Sequence, residues 1–309
     1  MIVVVAPGQG SQKPGVLAPW LADARVRSHV ASWSELIGID LAEHGTNSDA
    51  ETIRDTALAQ PLIVAAGLIT AEALLADGRR SRVGGVAGHS VGEFTAAAIA
   101  GILEPTDALR LVTERGRAMA DAAATESTGM SAVLGGDVAT LPAILAERGL
   151  APANFNGGGQ TVVAGPTDAL AAFAAEPPEK TRVLPLSVAG AFHTSYMASA
   201  VDRVRPVAAA VTANDPTLPI WTNADGTRID SGRRFVDLMV GQIANPVHWD
   251  AVMTSFLESD VTGVIELAPA GALVGLAKRA MRGVPTVGIT TPDDLPAAVA
   301  LLDQAEASA

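Results

Sequence analysis

Ser90 stands where a nucleophile would stand. It is the middle residue of Gly88-His89-Ser90-Val91-Gly92, which follows an apolar run at 83–87 and leads into an alanine-rich helical pattern. Strand, G-x-S-x-G turn, helix is the setting of a nucleophile elbow, a sharp turn that lifts a serine Oγ off the tip of a sheet. Gly88 is expected to tolerate the strained turn and Gly92 to let helix and strand backbones approach closely. Free N–H groups and the positive dipole end at the helix N-terminus would favour a developing oxyanion. A serine that merely caps a helix has the same local pattern, so the chemistry depends on a base.

Five histidines are available, and a serine nucleophile needs one of them or another base nearby. His89 adjoins Ser90, but neighbours at such a turn point apart, so a packing role is expected. His29 and His44 have no partner pattern and read as surface or structural residues. His193 follows Gly190-Ala191-Phe192, at a point where the chain returns from one pattern to another, and clefts form at such junctions. His248, in Asn245-Pro246-Val247-His248-Trp249, competes with it. With Asp230 or Asp237 as acid it would complete a triad in the order Ser, Asp, His. Spacing alone leaves both open.

The elements that must position these residues alternate. A β-branched run at 2–5 ends in Pro7-Gly8-Gln9-Gly10-Ser11-Gln12. Such a turn can offer N–H groups to an anion, but its spacing matches neither dinucleotide nor Walker pattern, so no nucleotide site is expected. Gln9 also fits as a polar turn residue. Residues 16–60 read as short helices and loops. The apolar stretch 61–76 carries Glu72, is short for a membrane span, and reads as a buried helix with Pro61 at its first position. A helix starting near 104–107 and running through Met119 contains Arg110, Arg115 and Arg117. Such a run usually marks a solvated face, but Gly116 beside Arg115 would let another element come close.

Strands at 130–134, 152–155, 160–164 and 182–184 and helices at 141–148 and 167–175 give the order β-α-β-β-α-β, a ferredoxin-like unit. Its linkers are 125–129 and 188–190. Beyond it the alternation resumes: a long helix at 196–213 interrupted near Pro206, strands at 219–221, 263–266 and 284–289, and helices at 232–243, 248–259, 270–281 and 293–305. The fold class is α/β with a mostly parallel sheet. Residues 1–125 and 190–309 form the large part, and 126–189 an insert.

Composition narrows the function. The chain has 309 residues, 49% of them hydrophobic, a mean hydropathy of +0.30, a net charge of -12 and a pI near 4.8. The acidic balance argues against nucleic acid and anionic membranes as partners. There is no cysteine, hence no disulfide, thiol nucleophile or thiolate metal site. The apolar run at 2–6 is too short for a signal peptide.

Five motifs then occur in order: Gly8-Gln9-Gly10-Ser11-Gln12, Gly88-His89-Ser90-Val91-Gly92-Glu93, Arg115-Gly116-Arg117, Gly190-Ala191-Phe192-His193-Thr194 and Asn245-Pro246-Val247. Together they resemble the malonyl-CoA:acyl carrier protein transacylases of fatty-acid and polyketide synthesis, over essentially the whole chain. The resemblance implies an α/β-hydrolase-like large subdomain with an inserted ferredoxin-like one, and a Ser–His dyad instead of a triad. Carried over, Ser90 is the nucleophile, His193 the base, and the N–H groups of Gln9 and Val91 the oxyanion hole. Arg115 takes the malonyl carboxylate, Phe192 accompanies malonyl rather than methylmalonyl use, and Gln60 and Asn156 line the site. The carbonyl that orients the histidine falls at His248, where many relatives carry Gln or Arg.

The resemblance also implies malonyl-CoA as substrate, an acyl carrier protein as partner, no metal or tightly bound cofactor, and a cytoplasmic monomer. A serine hydrolase using Ser90, His248 and an aspartate is the competing class. A non-catalytic carrier-binding relative is a third, against which the presence of both Ser90 and His193 speaks. Carrier proteins of this class are acidic, so docking on this acidic chain would need a local basic patch. Lys278, Arg279 and Arg282 are the candidate, although favourable placement of cations at a helix C-terminus is the more ordinary reading of them.

Overall fold

The first five-residue apolar run is the centre of the large sheet. In a computed structural model that describes residues 1–188 and 190–306, strand β1 spans Ile2–Ala6 with every residue buried. A strand covered on both faces has no polar side to alternate, which is why it reads as an unbroken apolar run. The remaining strands are β2 Gly85–Gly88, β3 Thr128–Gly135, β4 Ala151–Gly157, β5 Gln160–Pro166, β6 Thr181–Pro185, β7 Ile220–Trp221, β8 Arg228–Ile229, β9 Val247–His248, β10 Gly263–Glu266 and β11 Thr286–Gly288. The large sheet runs β11-β10-β1-β2-β7-β8. All its pairs are parallel except β7 with β8.

The second sheet is ordered β6-β3-β5-β4-β9. Its first four strands pair antiparallel, with the helices Leu141–Glu147 and Thr167–Ala175 between them in the chain. This is the expected β-α-β-β-α-β unit, packed over its own apolar cluster around Leu145, Val163 and Phe173. The fifth strand, β9, comes from outside the unit and joins β4 in parallel, Asn154 facing Val247.

Several elements differ from expectation. The apolar helix begins earlier, at Thr56, and runs to Leu75 with Pro61 inside it instead of at its start. Asp55 supplies the cap, its side chain accepting from the Ala57 N–H. The proline removes one backbone bond, and burial on nearly every side offsets the loss. By length and composition this helix could cross a membrane, but 78% of its most apolar window is buried inside the protein. Pro206 likewise does not interrupt its helix, which is continuous over Ala198–Ala210 after a single 3-10 turn. The segment expected to hold only short helices contains the 14-residue Ala24–Ile37. Of the 188–190 linker, Ala189 lies outside the described residues.

Candidate active site

Ser90 sits in the step between β2 and the helix Gly92–Ala100, with left-handed backbone at φ +53°. The strain therefore falls on the serine itself. Gly88 does not relieve it; its part is close approach, because a Cβ there would lie 2.0 Å from the carbonyl carbon of Gly92. A Cβ on Gly92 would meet the Ala6 carbonyl oxygen at 2.2 Å. Two bare backbones let the serine helix press against the ends of β1 and β2. The Ser90 N–H donates to Asn223 Oδ1 at 2.7 Å, which fixes the turn from the far side.

His193 meets Ser90. Its Nε2 lies 2.8 Å from Ser90 Oγ, and both residues are buried, 4% and 7% exposed. Nδ1 is 2.7 Å from the main-chain carbonyl of Gln242. A carbonyl only accepts, so Nδ1 carries the proton and Nε2 presents its lone pair to the serine hydroxyl. The His193 N–H donates to the next carbonyl, Ile243, at 3.2 Å. Two consecutive carbonyls thus grip the histidine, itself left-handed at φ +61°. Burial, reinforced by the neighbouring Arg115 cation, holds its pKa down at about 3. The ring is neutral at physiological pH and free to accept a proton.

The orienting carbonyl is not at His248, which is a correction to the expectation from the resemblance. The 3-10 turn Gln242–Ala244 after the helix Gly232–Gly241 places the Gln242 carbonyl there instead. The His248 ring stacks on Phe155 with centroids 4.9 Å apart, and the His248 backbone N–H donates to the Asn223 carbonyl. Asp237 pairs with Arg233 at the surface, and Asp230 is exposed. The Ser90–His248–Asp arrangement is therefore not assembled.

Arg115 is 1% exposed, while Arg110 and Arg117 on the same helix face outward. Gly116 makes that burial possible: a Cβ there would meet the Thr56 carbonyl oxygen at 2.9 Å, so the helix Thr56–Leu75 packs directly on it. This contact brings Gln60, whose Oε1 accepts from Arg115 Nη1 at 2.7 Å. Nη2 donates to Gln242 Oε1 at 2.9 Å and to Ser90 Oγ at 3.3 Å. The guanidinium also lies over Phe94, 5.8 Å from the ring centroid. Burial lowers its pKa to about 10, so it stays charged at neutral pH.

A cavity of about 350 Å³ opens beside Ser90 and His193, lined among others by Gln9, Gln60, Asn156 and Phe192. Asn156 Oδ1 is 2.9 Å from His89 Nε2, and Asn156 Nδ2 donates to Gln160. His89 itself packs edge-on against Trp249. Gln9 Nε2 donates to Thr56 Oγ1. Val91 is fully buried at the start of the serine helix. Among the described residues, the backbone N–H groups of Gln9 and Val91 donate to no protein acceptor. Of the candidate basic patch, Lys278, Arg279 and Arg282 are exposed, and Arg279 borders the cavity. Among the described residues no cluster of three or more His, Cys, Asp or Glu is arranged to hold a metal ion.

Two further residues of the site carry no signal in the sequence, and a third stands in the elbow motif with no role assigned to it. Asn223, just past β7, accepts from the Ser90 N–H and donates through Nδ2 to the Gly88 carbonyl. Gln242 serves both neighbours: its main-chain carbonyl accepts from His193 Nδ1 and its side-chain amide oxygen accepts from Arg115 Nη2. Glu93 is buried behind both, 1% exposed, and burial pushes its carboxyl up to about 8. A glutamate in the first turn of an otherwise apolar helix was the available clue.

Comparison with known proteins gives one family throughout. Residues 3–297 match the acyl transferase domain family. The malonyl CoA-acyl carrier protein transacylase of Mycobacterium tuberculosis is 47% identical over 299 residues, which cover 96% of this chain and 98% of that one. The crystal structure of the M. tuberculosis protein superposes with a TM-score of 0.93 at 46% identity, over 97% and 99% of the two chains. A malonyl-transacylase in complex with a type II polyketide-synthase acyl-carrier protein superposes with a TM-score of 0.91 at 28% identity, over 97% and 99%.

Proposed function

The chain belongs to the acyl transferase domain family, and from that premise we propose that it moves a malonyl group from malonyl-CoA to the phosphopantetheine thiol of an acyl carrier protein. The observation that carries this reading is the position of Ser90 Oγ, 2.8 Å from a neutral imidazole nitrogen and 3.3 Å from a buried guanidinium. One contact suits a nucleophile. The other suits a substrate that brings a negative charge to within a few bonds of the reacting carbonyl.

Ser90 Oγ attacks the thioester carbonyl while His193 Nε2 takes its proton. The tetrahedral oxyanion is met by the N–H groups of Gln9 and Val91, each worth roughly 3 kcal/mol of barrier where such donors have been removed. The imidazolium gives its proton to the departing CoA thiolate, leaving malonyl-Ser90. A carrier thiol then enters, His193 takes its proton, and the thiolate attacks the ester. Collapse returns the serine hydroxyl, with its proton coming from His193. A neutral carbonyl on Nδ1 suffices to hold the tautomer. Arg115 anchors the malonyl carboxylate through both transfers, Phe192 bounds the acyl end, and Gln60 holds the arginine. No tightly bound cofactor takes part. The same reading makes the chain a cytoplasmic monomer, as the resemblance implies, with residues 126–189 as an inserted subdomain in the large one.

The test is the intact mass of the protein after mixing with malonyl-CoA, and again after adding a holo carrier protein. A malonyl adduct on Ser90 that persists in water and is discharged by the carrier thiol is the expected result. An adduct that water removes as fast as it forms makes the protein a hydrolase, and no adduct at all removes the reading.

A further inference from the structure

We propose that Glu93 is a positioning residue for the malonyl carboxylate, acting on Arg115 through the side-chain amide of Gln242. This rests on the transacylase reading above.

The hydrogen bonds run in a fixed direction. Glu93 Oε1 accepts from the Asn223 N–H at 2.7 Å, and Oε2 accepts from Gln242 Nε2 at 2.6 Å. The same Nε2 faces Asn223 Oδ1 at 3.0 Å and the Ser90 carbonyl at 3.4 Å. Every group on that side of the amide is an acceptor, and an ionised carboxylate can do nothing else. The Gln242 oxygen is thereby turned the other way, where it accepts from Arg115 Nη2. Reversing the amide would set its NH2 against the guanidinium and its oxygen against a carboxylate.

The arrangement keeps the cation in use without spending it. Among the described residues, Arg115 hydrogen-bonds only neutral acceptors: Gln60, Gln242 and the serine hydroxyl. A glutamate bonded directly to the guanidinium would occupy the fork that a substrate carboxylate must share. With one amide between them, the ionised form of Glu93 supplies negative potential that favours a buried cation and leaves the guanidinium without a competing carboxylate. Arg115 is the charged group facing Glu93; its other partners, Asn223, Gln242 and Thr222, are neutral. Behind Gln242 the titratable neighbour is His193, which is uncharged near neutral pH. Because burial pushes the Glu93 carboxyl up to about 8, the acceptor-only form fills in as the pH rises through that value.

Glu93→Gln keeps the size and breaks the direction. An amide has one acceptor oxygen for two donors, so either the Asn223 N–H or the Gln242 amide must face another donor. The experiment measures malonyl-serine and acetyl-serine formation from the two CoA donors, for wild type and variant, on both sides of pH 8. The expected result is a fall in malonyl loading on the order of ten- to a hundredfold, carried mainly by a higher KM, with a far smaller fall for acetyl. The wild-type malonyl-over-acetyl ratio rises with pH, and the variant's does not. Gln242→Met, which keeps the main-chain carbonyl on His193, is the second variant and should lower the same ratio should Glu93→Gln fail to fold. Equal falls for both donors, or an unchanged ratio in a folded variant, overturn the proposal. Wild type that loads malonyl normally while the variants keep its ratio removes Glu93 alone; wild type that loads nothing removes the transacylase reading itself.

Discussion

Ser90 and His193 lie 103 positions apart in the chain and 2.8 Å apart in space, and each holds a left-handed backbone, φ +53° and +61°. A residue with a Cβ pays about 1–3 kcal/mol for such a conformation, and it persists only where its surroundings insist on it. Here they do so through the Asn223 side chain on one residue and two consecutive carbonyls on the other. Both halves of the pair are held from behind before any substrate arrives.

Ser90→Ala tests the nucleophile most simply. It removes one oxygen, opens no large cavity and keeps the backbone. Malonyl adduct formation by intact mass is expected to vanish while circular dichroism and the thermal midpoint stay close to wild type. Transfer at the normal rate would exclude a serine intermediate.

The two histidines should separate cleanly. His193→Ala removes the imidazole that meets Ser90 Oγ, and loss of a general base costs on the order of 10²–10⁴ in rate. His248→Ala loses a stacking contact with Phe155 but no bond to the dyad, so transfer should change less than about threefold, the effect of under 1 kcal/mol. Single-turnover transfer with each variant decides it, and the reverse outcome would restore the hydrolase-type triad.

Arg115→Ala should fall roughly ten- to a hundredfold with malonyl-CoA, since hydrogen bonds to a charged group are worth about 1.5–3 kcal/mol. Acetyl-CoA brings no carboxylate and should lose far less. Arg115→Lys should fall between, because an ammonium lacks the planar fork. Identical losses with both donors would make Arg115 a structural residue bracing Gln60 and Gln242.

Phe192 bounds the cavity beside His193. Phe192→Ser should raise the rate with methylmalonyl-CoA relative to malonyl-CoA. One methyl in a tight pocket is worth about 1–3 kcal/mol of discrimination. Competition between the two donors, read by mass, checks this, and a constant ratio would refute the steric role.

The acid limb of the pH profile reports on His193. Burial and then the Arg115 cation lower its pKa from 6.5 to about 3, so the neutral form, which is the base, survives as the pH drops. Malonyl-serine formation should therefore not halve near pH 6.5, where an ordinary histidine takes up its proton. Pre-steady-state loading between about pH 7 and 5 is the measurement. A titration centred near 6.5 would show the imidazole to be solvated.

How much of this was legible differs residue by residue, for physical reasons. The elbow is readable because close approach of a helix to a strand tip requires glycine at 88 and 92, and glycine is visible in a sequence. The β-α-β-β-α-β unit is readable because each strand is bounded by turn residues. Arg115 is half readable: Gly116 announces an approaching element but not which one. The Gln242 carbonyl is invisible, since every residue carries a carbonyl and only a helix ending at Gly241 aims this one at His193. The resemblance put that carbonyl six positions downstream, onto a histidine that stacks elsewhere. Asn223 acts through three-dimensional convergence, which no local pattern encodes, and Glu93 is visible in the elbow motif while its partners appear only in the fold. Pro61 misled because a proline inside a helix is normally excluded by its missing bond, and here burial outweighs it.

The strand order carries a consequence for synthesis. β1 is made before the other described strands, yet one of its two edges pairs with β10, whose first residue is Gly263. β3 to β6 close on one another within residues 128–185. Contacts near in sequence form ahead of those that must wait for distant partners. At ribosomal speeds of about 5–20 residues per second, β1 keeps an open edge for roughly 10–50 seconds after it emerges. The insert can fold in that interval, whereas His193 can be held against Ser90 as described only once the Gln242 turn has been delivered. A nascent chain stalled before β10 has an open strand edge to protect, and one stalled before the Gln242 turn lacks the carbonyl that holds His193.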